Sequence, residues 1–305
     1  ASYARWCLCL LSDKRKTIKI TLGNRAFFLL SILCDFVTFC KKDVIIFAMK
    51  QPANRFEIEK RFEKPLKVLV FDSLDSTNTR AKAMLKDGEN DDFLIVAREQ
   101  TKGRGRFERK FYSPKDAGVY FSLVVTPKTG EEIAFYTPIC AIATADAVRS
   151  VCGKNALVKW VNDVYVDGKK CAGILCEATS SKNGEIDKVV MGIGVNLYEK
   201  DGGFDEEIKD KACAVADGVE NASNRIVATI VNEIRELIEN FDKEYIVAKY
   251  KRLSMLIGKK IEVCKEENSA EKAIAVDIDE NCGLIVRYGD GKEENLRIGE
   301  VKILC

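Results

Sequence analysis

Two turn signals between apolar runs constrain the fold of this chain most strongly. Within residues 157–195, Asp167 and Gly168 separate two apolar runs, and Asn183 and Gly184 precede a third. Asp-Gly and Asn-Gly pairs between such runs are typical of tight β-hairpins, in which the central residues take positive φ. The middle of the chain therefore predicts consecutive antiparallel strands.

Apolar runs on both sides of this region predict further strands and two long helical regions. Runs rich in apolar and β-branched residues occupy 67–71, 93–97 and 118–126. Residues 133–151 form an apolar, alanine-rich stretch, and 222–251 have the periodicity of a helix. Together these patterns predict a sheet accompanied by helices.

From Ile257 onward the chain changes character. Short strand-like runs at 259–264, 273–278, 283–288 and 301–304 alternate with turns that contain Gly, Asp or Asn. This spacing predicts a small antiparallel barrel or sandwich that forms a second domain.

The N-terminal stretch does not resemble the remainder. Residues 1–48 hold eight Lys/Arg against three Asp/Glu, which leaves 41 against 44 in residues 49–305. The body of the chain is therefore not basic, which argues against a bulk nucleic-acid binder and requires any anion site to be local. The apolar run 26–34 is too short to span a membrane. We expect 1–48 to be an extension outside the functional fold, and it contains no evident helix-turn-helix pattern.

The histidine and cysteine contents limit the chemistry. The chain has no histidine, which excludes Ser-His-Asp and Cys-His mechanisms and the commonest metal ligand. Its twelve cysteines include no Cys-x-x-Cys pair, and many lie in apolar surroundings. We interpret them as reduced core residues of a cytoplasmic protein.

A basic loop at 98–109 follows the strand-like run that ends at Ala97. Gly103 and Gly105 can take positive φ, so that backbone N–H groups could close on an anion. Three guanidinium groups whose geometry fits phosphate oxygens lie beside them: Arg104, Arg106 and Arg109. The loop is a candidate phosphate or nucleic-acid contact, although a merely solvated basic loop has the same composition.

Polar residues near predicted strand ends have two interpretations each. Ser76, Thr77 and Asn78 can cap a helix or bind a ligand. Lys170 can be an exposed turn residue, or it can reach into a pocket and meet a carboxylate or phosphate. Asn196, after Gly-x-Gly, can close a turn or hydrogen-bond a base edge.

Taken together, these segments resemble the biotin protein ligases over about residues 67–305. Five motifs occur in that family's order: Ser76-Thr77-Asn78, Gly-Arg-Gly-Arg-x-x-Arg at 103–109, Lys-Trp-x-Asn-Asp at 159–163, Lys-x-Ala-Gly-Ile-Leu at 170–175 and Gly-x-Gly-x-Asn at 192–196. Two positions depart from the family. Val161 replaces a usual proline, and Phe111 stands where tryptophan is frequent. Both changes are expected to alter a loop angle and local packing without loss of function.

The resemblance implies an α+β fold. A mixed, largely antiparallel sheet flanked by helices is expected over residues 67–254, the biotin- and ATP-binding catalytic domain. A small SH3-like β-barrel is expected over 255–305. Residues 1–66 would then be an N-terminal extension outside the functional fold.

The resemblance also implies a two-step reaction. Biotin and ATP, with Mg²⁺, form biotinyl-5′-adenylate and pyrophosphate, and the adenylate then acylates one lysine of a biotin carboxyl carrier domain of a carboxylase. No nucleic-acid or membrane partner is expected, and the protein would be a cytoplasmic monomer or homodimer. Such chemistry needs positioning and charge neutralisation more than a proton shuttle, so the absence of histidine is no obstacle.

The family's site residues map onto this chain motif by motif. The biotin-binding set would be Ser76, Thr77, Asn78, Gln100, Gly103, Arg104, Arg106, Lys170 and Gly173. The ATP- or adenylate-binding set would be Arg104, Arg106, Arg109, Phe111, Asn162, Asp163, Lys170 and Asn196. Lys170 and Arg106 would be catalytic, Asp163 would be a candidate metal ligand, and Asn196 would read adenine. The loop would close over the adenylate.

Three alternatives remain. A lipoate–protein ligase has a related fold, but Gly-Arg-Gly-Arg and Lys-x-Ala-Gly-Ile-Leu favour biotin. A biotin-responsive transcriptional repressor would need an N-terminal helix-turn-helix. An inactive ligand-binding homologue would not be expected to keep the full set of polar site residues.

Overall fold

Seven strands form the main sheet of the described part of the chain. The computed structural model describes residues 51–180, 184, 186–200, 203–266 and 269–304, so the predictions for 1–50 lie outside it. The strands are β1 Lys67–Phe71, β2 Phe93–Ala97, β3 Gly118–Val125, β4 Ala156–Lys159, β5 Asp163–Val166, β6 Lys169–Ser180 and β7 Ile186–Asn196. Their spatial order is β1-β2-β3-β7-β6-β5-β4. β1 and β2 pair in parallel, and the other neighbours pair antiparallel, which confirms the mixed, largely antiparallel sheet.

The predicted hairpin at Asp167 and Gly168 joins β5 to β6. Their φ values are 49° and 77°, the positive angles that this two-residue turn requires. The hairpin aligns the start of β6 with β5, so that Lys170 lies opposite Tyr165 and Gly173 opposite Asp163. This turn thus brings the motif at 159–163 and the motif at 170–175 side by side.

Helices cover both faces of the sheet. They are α1 Arg55–Glu59, α2 Thr77–Lys86, α3 Gly130–Ile133, α4 Tyr136–Cys152, α5 Ala222–Glu239 and α6 Lys243–Leu253. β2 is buried on both sides: Leu94 and Val96 join the large core, whereas Phe93 and Ile95 join a smaller cluster with Ala81 of α2. Every residue of this strand is therefore apolar, as expected for a strand between two layers. No helix in the described part of the chain is long and apolar enough to cross a membrane.

The expected helical region 222–251 is interrupted. It divides after Glu239, and Asp242 caps the second helix by accepting a hydrogen bond from Tyr245 N at 2.9 Å. Asn221 holds the N-cap position of α5. Periodicity continued across the break because both helices bury an apolar face against the same core.

The fold begins before the predicted boundary at residue 67. Ala53 and Ile58 are buried in the main core, and Asn54 N donates to Asn224 Oδ1 of α5 at 2.7 Å. Residues 51–66 are thus part of the same compact unit as the sheet and its helices. The short helix α1 has one buried apolar residue, Ile58, which is too weak a pattern to be recognised in the sequence.

Five antiparallel strands form the C-terminal sheet. They are β8 Lys260–Glu266, β9 Ser269–Ile278, β10 Leu284–Tyr288, β11 Glu293–Leu296 and β12 Glu300–Ile303, in the order β11-β10-β9-β8-β12. The sequence did not predict β11, because only Leu296 of its four residues is buried. Trp160 Nε1 donates to Cys282 O at 3.0 Å and links this sheet to the end of β4. The expected small C-terminal β domain is therefore present.

Candidate functional site

A cleft lies where helix α2, the basic loop, strands β5 to β7 and the start of β12 meet. Twelve of the fourteen predicted site residues line it: Ser76, Thr77, Asn78, Gln100, Arg104, Arg106, Arg109, Phe111, Asn162, Asp163, Lys170 and Gly173. Gly103 and Asn196 are not among the lining residues.

Neutral side chains that already bond one another form one end of the cleft, which we call the polar end. Ser76 caps α2 by accepting from Thr79 N at 3.5 Å, which confirms the capping interpretation. Gln100 Oε1 accepts from Thr77 N at 2.8 Å and from Thr77 Oγ1 at 3.2 Å. Gln100 Nε2 in turn donates to Ser113 Oγ at 3.1 Å. The side-chain amide of Gln100 thus links the start of helix α2 to the basic loop and to Ser113.

Asn78 is fixed at the floor of the polar end. Its Oδ1 accepts from Ser122 Oγ at 2.6 Å, and its Nδ2 donates to Leu175 O at 3.1 Å and to Glu177 Oε2 at 2.8 Å. A Cβ added to Gly192 would overlap the Asn78 amide. Gly192 is therefore needed so that the amide can lie against the backbone of the sheet.

Phe111 forms the apolar wall of the cleft. A Cβ at Gly194 would overlap its ring, and a Cβ at Gly173 would lie 3.0 Å from ring atom Cε2. Tyr120 meets the ring edge-on with centroids 6.4 Å apart, and Lys170 Nζ lies 5.8 Å from the ring centroid. The two glycines thus let a large side chain of the loop lie across β6 and β7.

The glycines of the loop act differently from the prediction. Neither Gly103 nor Gly105 has a positive φ; Gly105 has φ −109° and ψ −167°. Phe107, whose side chain is 65% exposed, takes φ 53° and ψ 39° instead. At Gly103 the requirement is space, because a Cβ there would lie 2.5 Å from Phe111 O. The prediction of left-handed loop glycines is wrong, because the turn of the loop falls at Phe107.

The three arginines of the loop have different partners. Arg104 forms an ion pair with Glu177 at 3.2 Å, and Arg109 forms a two-pronged pair with Glu300 of β12 at 2.9 and 2.5 Å. Arg106 Nη1 donates to the neutral Asn162 Oδ1 at 3.3 Å and makes no ion pair within the described residues. Burial lowers the pKa of Arg106, which Asp163 and Glu300 oppose. Of the three loop arginines, Arg106 is therefore the one that forms no ion pair among the described residues.

A second group of lining residues has charged side chains, and we call it the charged end: Arg106, Arg109, Lys159, Asp163, Lys170 and Glu300. Lys170 Nζ lies 2.6 Å from Asp163 Oδ1 as an ion pair, yet this oxygen accepts no aligned hydrogen bond. Burial lowers the pKa of Lys159, and Asp163 opposes that effect. The lining contains six basic side chains but only two acidic ones, Asp163 and Glu300. The cleft therefore suits an anion, although the chain as a whole is nearly neutral.

A divalent cation would find few protein ligands here. The described residues contain no group of three or more acidic, cysteine or histidine side chains placed to hold a metal. Asp163 Oδ1 has no aligned hydrogen-bond donor, but the Lys170 ammonium lies 2.6 Å from it, so a Mg²⁺ ion that takes its other ligands from phosphates and water would have to displace this lysine. Asp163 as a metal ligand stays a prediction.

The sequence missed several residues of the site, and it assigned one that lies apart. Lys159, Glu177 and Glu300 were not assigned, although Lys159 belongs to the quoted Lys-Trp motif and Gly299-Glu300-Val301 is close to the C-terminus. Nothing in their local pattern distinguishes the two glutamates from solvent-facing strand residues. Asn196 ends β7 opposite Gly118, and its carbonyl accepts from Val215 N at 3.2 Å. Its adenine-reading role stays a prediction.

Two family models match the chain in the order in which its two sheets occur. Residues 70–196 match the Biotin/lipoate A/B protein ligase family, and residues 256–303 match the Biotin protein ligase C terminal domain. These matches cover the strands and loop of the cleft and most of the C-terminal sheet.

Individual relatives agree with these models. The bifunctional ligase/repressor BirA of Bacillus subtilis is 29% identical over 203 residues, which are 65% of this chain and 61% of that protein. A biotin–acetyl-CoA-carboxylase ligase of Paracoccus denitrificans is 41% identical over 127 residues, 40% of this chain and 51% of the relative. The match thus spans about three fifths or less of the length of these relatives.

A solved structure extends the likeness to a larger share of the chain. The biotin protein ligase of Aquifex aeolicus in complex with biotin and ATP is 26% identical, with a TM-score of 0.66, over 78% of this chain and 98% of that one. On these grounds the chain belongs to the biotin protein ligase family.

Proposed function

We propose that this protein ligates biotin to a lysine of a biotin carboxyl carrier domain, with ATP, through biotinyl-5′-adenylate. The observation that carries the proposal is the lining of the cleft, which combines neutral hydrogen-bonding side chains with six basic side chains and two acidic ones. Biotin has a neutral ureido ring at one end and a carboxylate at the other, and ATP adds phosphates at the carboxylate. Ligand and cleft therefore match in polarity along their length.

The first step joins the biotin carboxylate to the α-phosphorus of ATP. An oxygen of the ionised carboxylate attacks phosphorus, a C–O–P linkage forms, and pyrophosphate leaves with the electrons of the broken P–O bond. No proton moves at the attacking atom, which suits a site without histidine. Lys170 and Arg106 would stabilise the negative charge that gathers between carboxyl and phosphate. Mg²⁺, when bound with ATP, would neutralise the leaving pyrophosphate, and Asp163 is the residue that would contact it.

The second step transfers biotin to the acceptor. The neutral amine of the acceptor lysine attacks the acyl carbon, AMP leaves, and the amine nitrogen loses one proton as the amide forms. The mixed anhydride is prone to attack by water, so the loop around Arg106 would shield it until the acceptor arrives. Phe111, packed across β6 and β7, would exclude water from the same region.

The alternatives are weaker. A lipoate–protein ligase shares the first family description, but the match of 256–303 to a biotin protein ligase C-terminal domain favours biotin. The repressor alternative concerns residues 1–50, which lie outside the described residues. Cytoplasmic location, absence of nucleic-acid partners and the monomeric or dimeric state stay predictions.

Incubation with a carrier domain tests the proposal directly. The chain, biotin, ATP and Mg²⁺ are mixed with a biotin carboxyl carrier domain, and the intact mass of the carrier is measured. We expect the mass increase of one biotinyl group, only when ATP is present. A parallel reaction with lipoate and a lipoyl carrier domain should give none. Modification of the lipoyl domain alone would favour the alternative ligase.

A further inference from the structure

Glu177 of β6 contacts both helix α2 and the basic loop at the cleft. We propose that Glu177 is a positioning residue that fixes the biotin-facing amide of Asn78 and anchors the loop through Arg104. This inference rests on the proposed function for its kinetic consequences, and the loop anchoring can be measured without it.

Three donors from two elements converge on the Glu177 carboxylate. Asn78 Nδ2 donates to Oε2 at 2.8 Å, and Lys82 Nζ lies 2.7 Å from Oε1. Both come from α2, one helical turn apart. Arg104 Nη2 of the loop lies 3.2 Å from Oε2 and 3.5 Å from Oε1. One carboxylate thus ties helix α2 and the loop to the middle of the sheet.

Glu177 keeps its charge in this position. Burial raises the pKa of its carboxyl, but the hydrogen bonds from Lys82 and Asn78 and the nearby positive charges outweigh burial and leave the pKa below its ordinary value. The group is therefore ionised near neutral pH, and its single negative charge is shared by Lys82 and Arg104.

The orientation of Asn78 depends on the same group. Ser122 Oγ donates to Asn78 Oδ1, so Nδ2 must face Leu175 O and Glu177. Without an acceptor at position 177, one N–H of a 4%-exposed amide would lose its partner. A buried unpaired donor is unfavourable enough to turn or displace the side chain.

This arrangement divides the roles of the loop arginines. Arg104 is already ion-paired with Glu177, so it acts as an anchor, whereas Arg106 forms no ion pair among the described residues and remains available to the ligand. The sequence assigned both arginines to the ligand. We infer that the loop is attached through Arg104 and binds the phosphate through Arg106.

Two substitutions separate the two functions of Glu177. Glu177→Gln keeps an oxygen that accepts from Asn78 Nδ2 but loses the ion pairs with Arg104 and Lys82. Glu177→Ala loses all three contacts. Lys82→Met is the matched control, because it removes one cation from the same carboxylate and leaves the bonds to Asn78 and Arg104 in place. Thermal unfolding of each variant verifies that it is folded.

Trypsin cleavage of the ligand-free proteins measures the anchor independently of catalysis. Cleavage after the basic residues of the loop at 104–110 should be roughly two- to fivefold faster in both Glu177 variants, the scale of a partly exposed ion pair. Lys82→Met should be cleaved at the parent rate. Equal cleavage of parent and Glu177→Gln would overturn the anchoring role, whether or not the protein ligates biotin.

Steady-state kinetics of adenylate formation measure the effect on Asn78. Glu177→Gln should keep the biotin KM within about twofold of the parent, whereas Glu177→Ala should raise it roughly tenfold, with the ATP KM unchanged. Equal biotin KM values for parent and Glu177→Ala would overturn the positioning of Asn78. A parent that makes no adenylate would instead count against the proposed function, and the cleavage result would stand by itself.

Discussion

The two ends of the cleft are built on opposite principles. At the polar end, the side chains of Thr77, Asn78 and Gln100 already hold hydrogen bonds to protein groups, and Thr77 and Asn78 are buried. At the charged end, Arg106 has only a neutral partner, and Lys159 is partly desolvated. At the polar end protein groups satisfy one another, whereas the charged end, where Lys170 pairs with Asp163 and Arg109 with Glu300, leaves Arg106 with no ion pair among the described residues.

This difference has a physical reason. A neutral ring is recognised by hydrogen-bonding groups held in place, because any group left unpaired in a buried site is costly. A polyanion is bound by cations that have no carboxylate partner. Such cations can still stabilise the negative charge that develops in the reaction. Substitutions at the charged end should therefore affect rate, and those at the polar end should affect biotin affinity and stability.

Removal of Lys170 should have the largest effect. Lys170→Ala removes the cation beside Asp163 and should lower adenylate formation by roughly 10²-fold or more, the scale of one preorganised electrostatic group. Pyrophosphate release measures it. Lys169→Ala, one residue earlier and exposed, is the matched control and should behave as the parent. A near-normal rate for Lys170→Ala would remove this residue from the charged end.

Removal of Arg106 should chiefly affect retention of the intermediate. Arg106→Gly loses a charge-assisted contact worth about 1.5–3 kcal/mol, so release of the adenylate should accelerate by roughly ten- to a hundredfold. The variant should still make adenylate and should biotinylate albumin, which a streptavidin blot detects. If albumin is labelled no more than by the parent while adenylate still forms, the loop does not act as the lid.

Gly192→Ala tests the polar end. The added methyl group would overlap the Asn78 amide, and overpacking of this kind costs about 1–3 kcal/mol. We expect a lower unfolding temperature and a biotin KM raised roughly tenfold, with the ATP KM unchanged. Gly130→Ala is the control, because its Cβ would meet no atom within 4 Å and its φ is not positive. An unchanged biotin KM would show that the position of Asn78 does not matter for biotin.

The smallest effect is expected at the pair between Arg109 and Glu300. The hydrogen bond from Arg109 lowers the pKa of Glu300, so the contribution of the pair is present above the unfolded glutamate pKa and is lost as pH falls through the lower folded value. Because Glu300 stays ionised above pH 6, titration of this pair should not change the activity between pH 6 and 8. Because Arg109 is largely exposed, Glu300→Gln should speed adenylate release by no more than about fivefold. A larger effect at 0.5 M than at 0.05 M salt would contradict an ionic origin.

Local patterns predicted most of the strands correctly. β1 and β2 have the predicted bounds, the hairpin at Asp167 and Gly168 has the predicted angles, and Ser76 caps its helix. Each depends on neighbours within a few residues, where turn chemistry and alternation act directly. α1 and β11 were missed because each buries one apolar residue, which leaves no periodic signal.

The sequence by itself determined the strands, the turns and the motifs that identify the family, because each of these is written in contiguous residues. Only the tertiary structure decided which carboxylate neutralises which arginine. Glu177 is 73 residues from Arg104, and Glu300 is 191 residues from Arg109. No local pattern records such pairs, because they form only when the fold brings distant chain segments within reach. The same fold leaves Arg106, among the three loop arginines, without an ion pair in the described part of the chain, and this is why we propose Arg106 for the ligand.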